Sequence, residues 1–197
     1  MRTQGRLLAL LMLAAFSVPL HSQETGGETG DIIKSRSPDG RFGPRITSLP
    51  EQEAALIEKA SGNALVNLGA CGDPDTTMLV WSADSKRVAY ATRFQKDGET
   101  HVYFWNGTAF EEVDLPDDLP GPKLKLPKNS DAKNYGGAET PLRWLKSGDL
   151  EMSSDLMMLS RDNGRTYTGV VRFIIAFDAQ HHPSVKNVGK TKTRIDE

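Results

Sequence analysis

A polar corner between two apolar runs, at residues 79–94, constrains the fold of this chain more than any other segment. The segment reads LVWSADSKRVAYATRF. After the corner, apolar and aromatic residues alternate with a period of two, which is the signature of a β-strand. The Ser and Asp residues of the corner have side chains that hydrogen-bond to nearby backbone and favour turns. The segment therefore predicts a strand, a tight turn and a second strand.

The same kind of corner occurs three times. The three copies are SPDGRF from Ser37, SADSKR from Ser82 and LKSGDL from Leu145, and a Trp directly precedes the second and third (Trp81 and Trp144). Each is followed by further strand patterns joined by Gly-containing turns, such as Asn106-Gly107 between residues 100–105 and 108–113. A period of roughly 40 to 45 residues with several short strands per unit indicates propeller-type blades.

Residues 81–90 resemble the repeat of TolB-type β-propellers, which belong with the WD40-like propellers. The family's blades carry W-S-P-D-G-[KR]-x-[IL]-A-[FY], and the resemblance rests here on Trp81, Ser82, Asp84, Lys86, Ala89 and Tyr90. Residues 37–41 match the same core, whereas the third block keeps Trp144, Gly148 and the strand pattern. The resemblance implies that these residues are structural, with the Trp packed between blades and the Asp shaping the turn. It implies no activity.

We therefore expect an all-β fold, an antiparallel meander of about three propeller-like blades that is open or partial. The expected domain spans residues 37–190, with blocks at about 37–69, 78–114 and 142–188. A Pro- and Lys-rich insertion at 115–141 separates the last two blocks, and a charged tail follows at 191–197. We expect the charged residues 189–197 to fray. Propellers close with four or more blades, so either the meander stays open or a partner completes it. A homodimer that covers exposed sheet edges is one expectation.

Residues 48–62 allow two interpretations. Ser48-Leu49-Pro50-Glu51 matches a helix capping box, and Gly62 could end a helix. The alternative is a hairpin with strands at 54–59 and 64–68 and a turn between them. Local propensity favours the helix, but the repeat favours the hairpin, and we predict the hairpin.

The N-terminus predicts export. Arg2 and Arg6 precede an apolar run at residues 7–18, and small and polar residues follow up to Ser22. This is the pattern of a secretory signal peptide, and the run is too short to cross a bilayer as a helix, which takes about 20 residues. We expect a signal peptide at 1–22, a Gly- and Glu-rich linker at 23–36 and a bacterial periplasmic or extracellular location.

Charge and cysteine content narrow the function classes. The formal net charge is −2, and every acidic residue follows the predicted signal peptide. Nucleic acid binding depends on basic residues that neutralise phosphates, so a nucleic acid partner is not expected. The single Cys71 cannot form an intrachain disulfide. No second apolar segment is long enough to span a membrane.

The sequence carries no catalytic or cofactor-binding signature, and we expect no cofactor and no metal. The first function hypothesis is an exported binding module for a protein or glycan of the cell envelope. Its candidate contact residues lie in the insertion, because binding residues concentrate on loops held by rigid sheets: Lys123, Lys125, Lys128 and Tyr135. The alternative is a hydrolase of envelope or extracellular polymers, which would need a deep pocket where carboxylates or histidines converge.

Overall fold

The computed structural model describes residues 36–47, 52–71, 77–94 and 96–196, without the side chain of Phe94. The predicted signal peptide and all of the predicted linker except Arg36 lie outside these ranges. Within the described residues the secondary structure is strand and turn with no helix, which confirms the all-β prediction. The strands are β1 (Phe42–Thr47), β2 (Glu53–Glu58), β3 (Ala64–Ala70), β4 (Met78–Trp81), β5 (Arg87–Phe94), β6 (Asp97–Trp105), β7 (Phe110–Val113), β8 (Lys133–Trp144), β9 (Leu150–Leu159), β10 (Thr166–Phe177), β11 (Pro183–Lys186) and β12 (Lys192–Asp196).

The strands form three successive antiparallel meanders. The first is a separate three-stranded sheet, β1-β2-β3, and the others are β4 to β7 and β8 to β11. The second and third meanders join in one nine-stranded sheet through a short parallel contact, in which Asp97 and Gly98 of β6 pair with Gly137 and Ala138 of β8. Pairing within the meanders is antiparallel, as predicted, and this junction between two meanders is parallel. Neither of the two sheets closes into a barrel.

The first two corners have the same hydrogen bonds. Ser82 Oγ accepts from the backbone N–H of Arg87 at 2.9 Å and donates to the carboxylate of Asp84 at 2.6 Å. Ser37 Oγ likewise accepts from the N–H of Phe42 at 2.9 Å and donates to Asp39 at 2.6 Å. These bonds satisfy backbone donors that the turn would otherwise leave unpaired. The same short polar pattern thus produces the same turn in these two corners.

The third corner is one residue shorter. The N–H of Leu145 bonds to the carbonyl of Asp149 at 2.8 Å, four residues along, whereas Ser82 bonds to Arg87, five residues along. Leu145 has no hydroxyl with which to satisfy the turn. Gly148 has a φ of 90°, and Ser85 has a φ of 60° at the corresponding point of the second corner. A left-handed conformation strains a residue other than glycine, so the hydrogen bonds of the second corner hold Ser85 in place.

We expect Ser82→Ala to destabilise the fold by about 1–3 kcal/mol, because the substitution leaves the Arg87 N–H without its side-chain acceptor and removes one donor from the Asp84 carboxylate. Ser82 is 4% exposed. The matched control is Ser147→Ala in the third corner, an exposed residue whose hydroxyl bonds to the Asp149 carboxylate alone among the described residues, and whose loss should lie within about 0.5 kcal/mol. Urea unfolding measures both, and equal losses would contradict the role given to Ser82.

The middle meander is buried on both faces. Val88 and Tyr90 of β5 face the three-stranded sheet, and Ala89 between them faces the third meander. Adjacent residues of a strand point to opposite faces, so the alternation of residues 88–94 supplies two cores rather than one. The first core holds Phe42, Leu56, Leu68, Val88, Tyr90, Tyr103 and Phe110, and the second holds Val102, Phe104, Leu150, Met152, Phe173 and Ile175.

The two repeated tryptophans lie in these two cores. Trp81 stacks on Phe42 with ring centroids 6.1 Å apart, between the first and second meanders. Trp144 packs edge-to-face on Phe104 at 5.9 Å, between the second and third, and its indole N–H donates to the carbonyl of Val80 at 2.9 Å. Each Trp therefore joins its own meander to a neighbouring one.

Several strand bounds differ from the sequence prediction. The hairpin at 54–68 is confirmed by β2 and β3. The insertion predicted at 115–141 is wrong in its last third, because β8 begins at Lys133 and passes Pro141 at a register shift. The tail at 191–197 was expected to fray, but β12 pairs with β10. The Asn106-Gly107 turn is wider than two residues, because the Asn106 side chain accepts from the N–H groups of Thr108 and Ala109.

Candidate functional site

Residues 115–132, which we call the strap, cross the face of the third meander. Leu115 and Leu119 pack against the second core at its N-terminal end. Further along, the strap crosses β10 at Gly169, where an added Cβ would lie 2.9 Å from Leu124 Cδ2 and 3.0 Å from Pro122 Cβ. The strap therefore contacts the sheet closely at a residue that has no side chain.

A half-buried carboxylate anchors the C-terminal end of the strap to the buried Ser160. The carboxylate of Asp131 accepts from Ser160 Oγ at 2.5 Å and from the N–H groups of Arg161 and Asp162 at 3.0 and 3.1 Å. The Ser160 hydrogen bond, outweighing desolvation and aided by the two N–H groups, lowers the pKa of Asp131 below its ordinary value. The group is therefore a carboxylate at neutral pH, as its three donors require.

Side chains of the strap alternate between the sheet and solvent. Pro122, Leu124 and Leu126 are half-buried, whereas Lys123 and Lys125 are exposed. This alternation is typical of an extended chain with one apolar side. The N–H of Lys123 donates to Thr191 Oγ1 at 3.0 Å, which ties the strap to the segment before β12.

A groove of about 720 Å³ lies between the strap and this C-terminal segment. Lys123 and Lys125 line one side, and Lys190, Thr191 and Thr193 line the other. Val171 and Val188 supply apolar surface, and Val188 is 55% exposed. The described residues that line this basic groove include three lysines and no carboxylate. Such a groove attracts an anionic ligand.

The structure brings together two of the four predicted contact residues. Lys123 and Lys125 line the basic groove, but Lys128 does not. Tyr135 lies on β8, not in a loop, and its ring packs under Lys96 Nζ at 4.2 Å. The sequence analysis missed Lys190, Thr191 and Thr193, because they lie in or next to the segment expected to fray. The high number of Lys residues in this C-terminal segment was the sequence signal that could have identified it as a wall of the groove.

A second cleft, of about 540 Å³, is acidic. It is lined by His101, Glu112, Asp114 and Asp117 together with Thr100. The His101 ring is held between two carboxylates, with Nδ1 2.7 Å from Glu112 and Nε2 3.6 Å from Glu99. The hydroxyl of Thr100 donates to the carbonyl of Glu139 at 2.6 Å, so its hydrogen is already used. The cleft therefore offers acid and base groups without an activated hydroxyl beside them.

In the ranges that the structure describes, no three His, Cys, Asp or Glu side chains gather closely enough to hold a metal ion. The same ranges contain no helix long and apolar enough to cross a membrane.

No protein-family model matches the sequence, and no curated protein matches it. The site must therefore be interpreted from its own geometry.

Proposed function

We propose that this protein is an exported, non-catalytic binding module on a propeller-like scaffold, which recognises an acidic protein or glycan of the cell envelope through the basic groove. The observation that carries the proposal is the groove itself: Lys123, Lys125 and Lys190 face one cavity that no described carboxylate lines. Export is supported by the N-terminal sequence pattern, and the propeller-like scaffold by the repeated corners and meanders.

The walls of the groove are fixed, which favours binding. The strap is held at Gly169 and at Asp131, and the opposite wall is held by the pairing of β12 with β10. A preformed site avoids much of the entropy cost of ordering a loop when the ligand binds. The insertion therefore serves as one wall of a site and not as a spacer between blades.

Hydrolysis of envelope or extracellular polymers is the second candidate function. The observation that favours it is the acidic cleft, where His101 and Glu112 are hydrogen-bonded beside two further carboxylates. A paired His and carboxylate can accept a proton in hydrolysis. The basic groove is the better supported site, because Thr100 is committed to Glu139 and does not serve as the nucleophile.

We expect the double substitution Lys123→Gln and Lys125→Gln to weaken binding of acidic polymers. The probes are fluorescein-labelled polyglutamate and polygalacturonate, and fluorescence anisotropy measures the dissociation constant. Exposed charge contacts contribute about 0.2–1 kcal/mol each, so the double variant should bind between about two-fold and thirty-fold more weakly.

The matched control is Lys128→Gln with Lys133→Gln, which removes the same charge from exposed positions that do not line the groove. Equal weakening by both double variants would contradict a site in the groove and indicate attraction by net charge alone. New chain ends released from either polymer would instead favour the hydrolase.

A further inference from the structure

We propose that the ligand of the basic groove is an extended acidic peptide that carries a carboxylate at every second residue. This inference rests on the proposed function above and names the partner class of that site. The argument uses the spacing of the lysines, the backbone of the strap and the apolar part of the groove.

The first step is the spacing of the lysines. Lys123 and Lys125 are both exposed and are separated by a half-buried Leu124, so they lie on the same side of an extended segment. Two residues of an extended chain span about 6.6 Å. A peptide that lies alongside the strap has the same repeat, so carboxylates at positions i and i+2 face both ammonium groups. Consecutive acidic residues would point to alternate sides, and only half of them would face the lysines.

The second step is the backbone of the strap. Between residues 119 and 126, the only backbone hydrogen bond to another described residue joins Lys123 N to Thr191 Oγ1. The N–H groups of an extended chain alternate between its two edges, so the N–H of Lys125 points to the same edge as the bonded N–H of Lys123, and it has no partner in the described part of the chain. An extended backbone with unpaired groups accepts another strand, and main-chain hydrogen bonds then supply affinity for a peptide.

The third step is the apolar surface. Val188 is 55% exposed and lines the groove between the basic walls. It offers contact to a small apolar residue between two acidic ones in the ligand. No aromatic ring is present among the described lining residues, so the groove lacks the flat apolar platform that aromatic side chains provide. These features favour a peptide over an acidic glycan.

The test compares ligands of equal charge by fluorescence anisotropy on the mature chain. The ligands are a labelled heptapeptide with three Glu residues that alternate with Val and Thr, a peptide of the same composition whose Glu residues are three positions apart, and an oligogalacturonate with the same number of carboxylates. We expect the alternating peptide to bind about ten-fold more tightly than the peptide with the wider spacing. Lys123→Gln with Lys125→Gln should remove this preference, and Lys128→Gln should keep it.

N-methylation of the alternating peptide tests the backbone step. One version is methylated on the Glu residues and the other on the residues between them, and only the version whose methyl groups face the strap should lose binding. Equal binding of both methylated peptides and the parent, of the alternating peptide and the peptide with the wider spacing, or of the alternating peptide and the oligogalacturonate would overturn the inference while leaving the proposed function in place. Failure of every acidic ligand to bind would overturn the proposed function itself.

Discussion

Replacing Phe42 with alanine is expected to lower the free energy of unfolding by about 3–5 kcal/mol, as large-to-small substitutions of buried Phe do. The side chain is 1% exposed. Its ring centroid lies 5.0 Å from that of Trp105, 5.1 Å from Phe110 and 6.1 Å from Trp81. Three aromatic rings would therefore lose their common neighbour.

The position of Phe42 explains why the cost should lie at the upper end of core substitutions. It is the first residue of β1, and it fills the space between the three-stranded sheet and the middle meander. Indole rings have few rotamers and cannot close the space that alanine leaves, and the cost of a core truncation grows with the volume of the remaining cavity. The backbone of Phe42 also closes the first corner through Ser37, and alanine would retain that hydrogen bond.

Urea unfolding of the purified mature chain, followed by tryptophan fluorescence, measures the effect. Ile46→Ala on the same strand is the comparison, because Ile46 is only partly buried against the same core and should cost less. Phe42→Leu keeps most of the volume and should cost less than Phe42→Ala. A Phe42→Ala loss no larger than that of Ile46→Ala would show that the three-stranded sheet does not depend on this contact.

The sequence could predict strands wherever the alternation was unbroken. Residues 88–94 were predicted as a strand from their alternation and residues 100–105 from their β-branched and aromatic residues, and both lie in strands of the structure, β5 and β6. The alternation did not reveal that both faces of the middle meander are buried. Ala89 is small but fully buried, and small residues do not distinguish a second core from a solvent-facing side.

The sequence prediction placed the start of β8 too late in the chain, and the reason is physical. Gly136, Gly137 and Pro141 usually interrupt strands, yet the structure uses the glycines where β8 passes close to other backbone and places Pro141 at a bulge. Strand β12 was missed because its charged residues gain their order from pairing with β10. Both are tertiary effects that local propensity cannot express.

Some residues of the candidate site could be predicted from the sequence, and others depend on the tertiary fold. Lys123 and Lys125 were predicted from the composition of the insertion, and the structure places both in the groove. The facing residues Lys190 and Thr191 are more than 60 positions away in the chain, and only the return of β12 along β10 brings them opposite the strap. Tyr135 was assigned to the same loop, but it lies on a strand that begins two residues before it.

Replacing Gly137 with alanine is expected to lower the free energy of unfolding by about 3 kcal/mol, the upper end of the range for overpacking. A Cβ on Gly137 would overlap the carbonyl oxygen of Asp155 in β9. The opposing atom belongs to the backbone, so no side-chain rotation relieves the overlap. The N–H of Gly137 also bonds to the carbonyl of Lys96 at 2.9 Å, which fixes the residue from the other side.

The parallel contact between β6 and β8, beside Gly137, is closely packed. A Cβ on the neighbouring Gly98 would lie 2.7 Å from the Cβ of Ala138, so small residues are needed on both strands of the parallel contact. To relieve the overlap at Gly137, β8 must move away from β9, which breaks the β8 to β9 ladder. That movement also presses β8 against β6, where Gly98 and Ala138 leave no space.

Gly121→Ala is the matched control, because no atom lies within 4 Å of an added Cβ and its φ lies outside the left-handed range. Its effect should stay within about 0.5 kcal/mol. Urea unfolding of both variants, with Trp144 at the end of β8 as a fluorescent reporter, measures the difference. If Gly137→Ala is as stable as Gly121→Ala, β8 does not pass between β6 and β9, and the parallel contact that joins the two meanders is wrong.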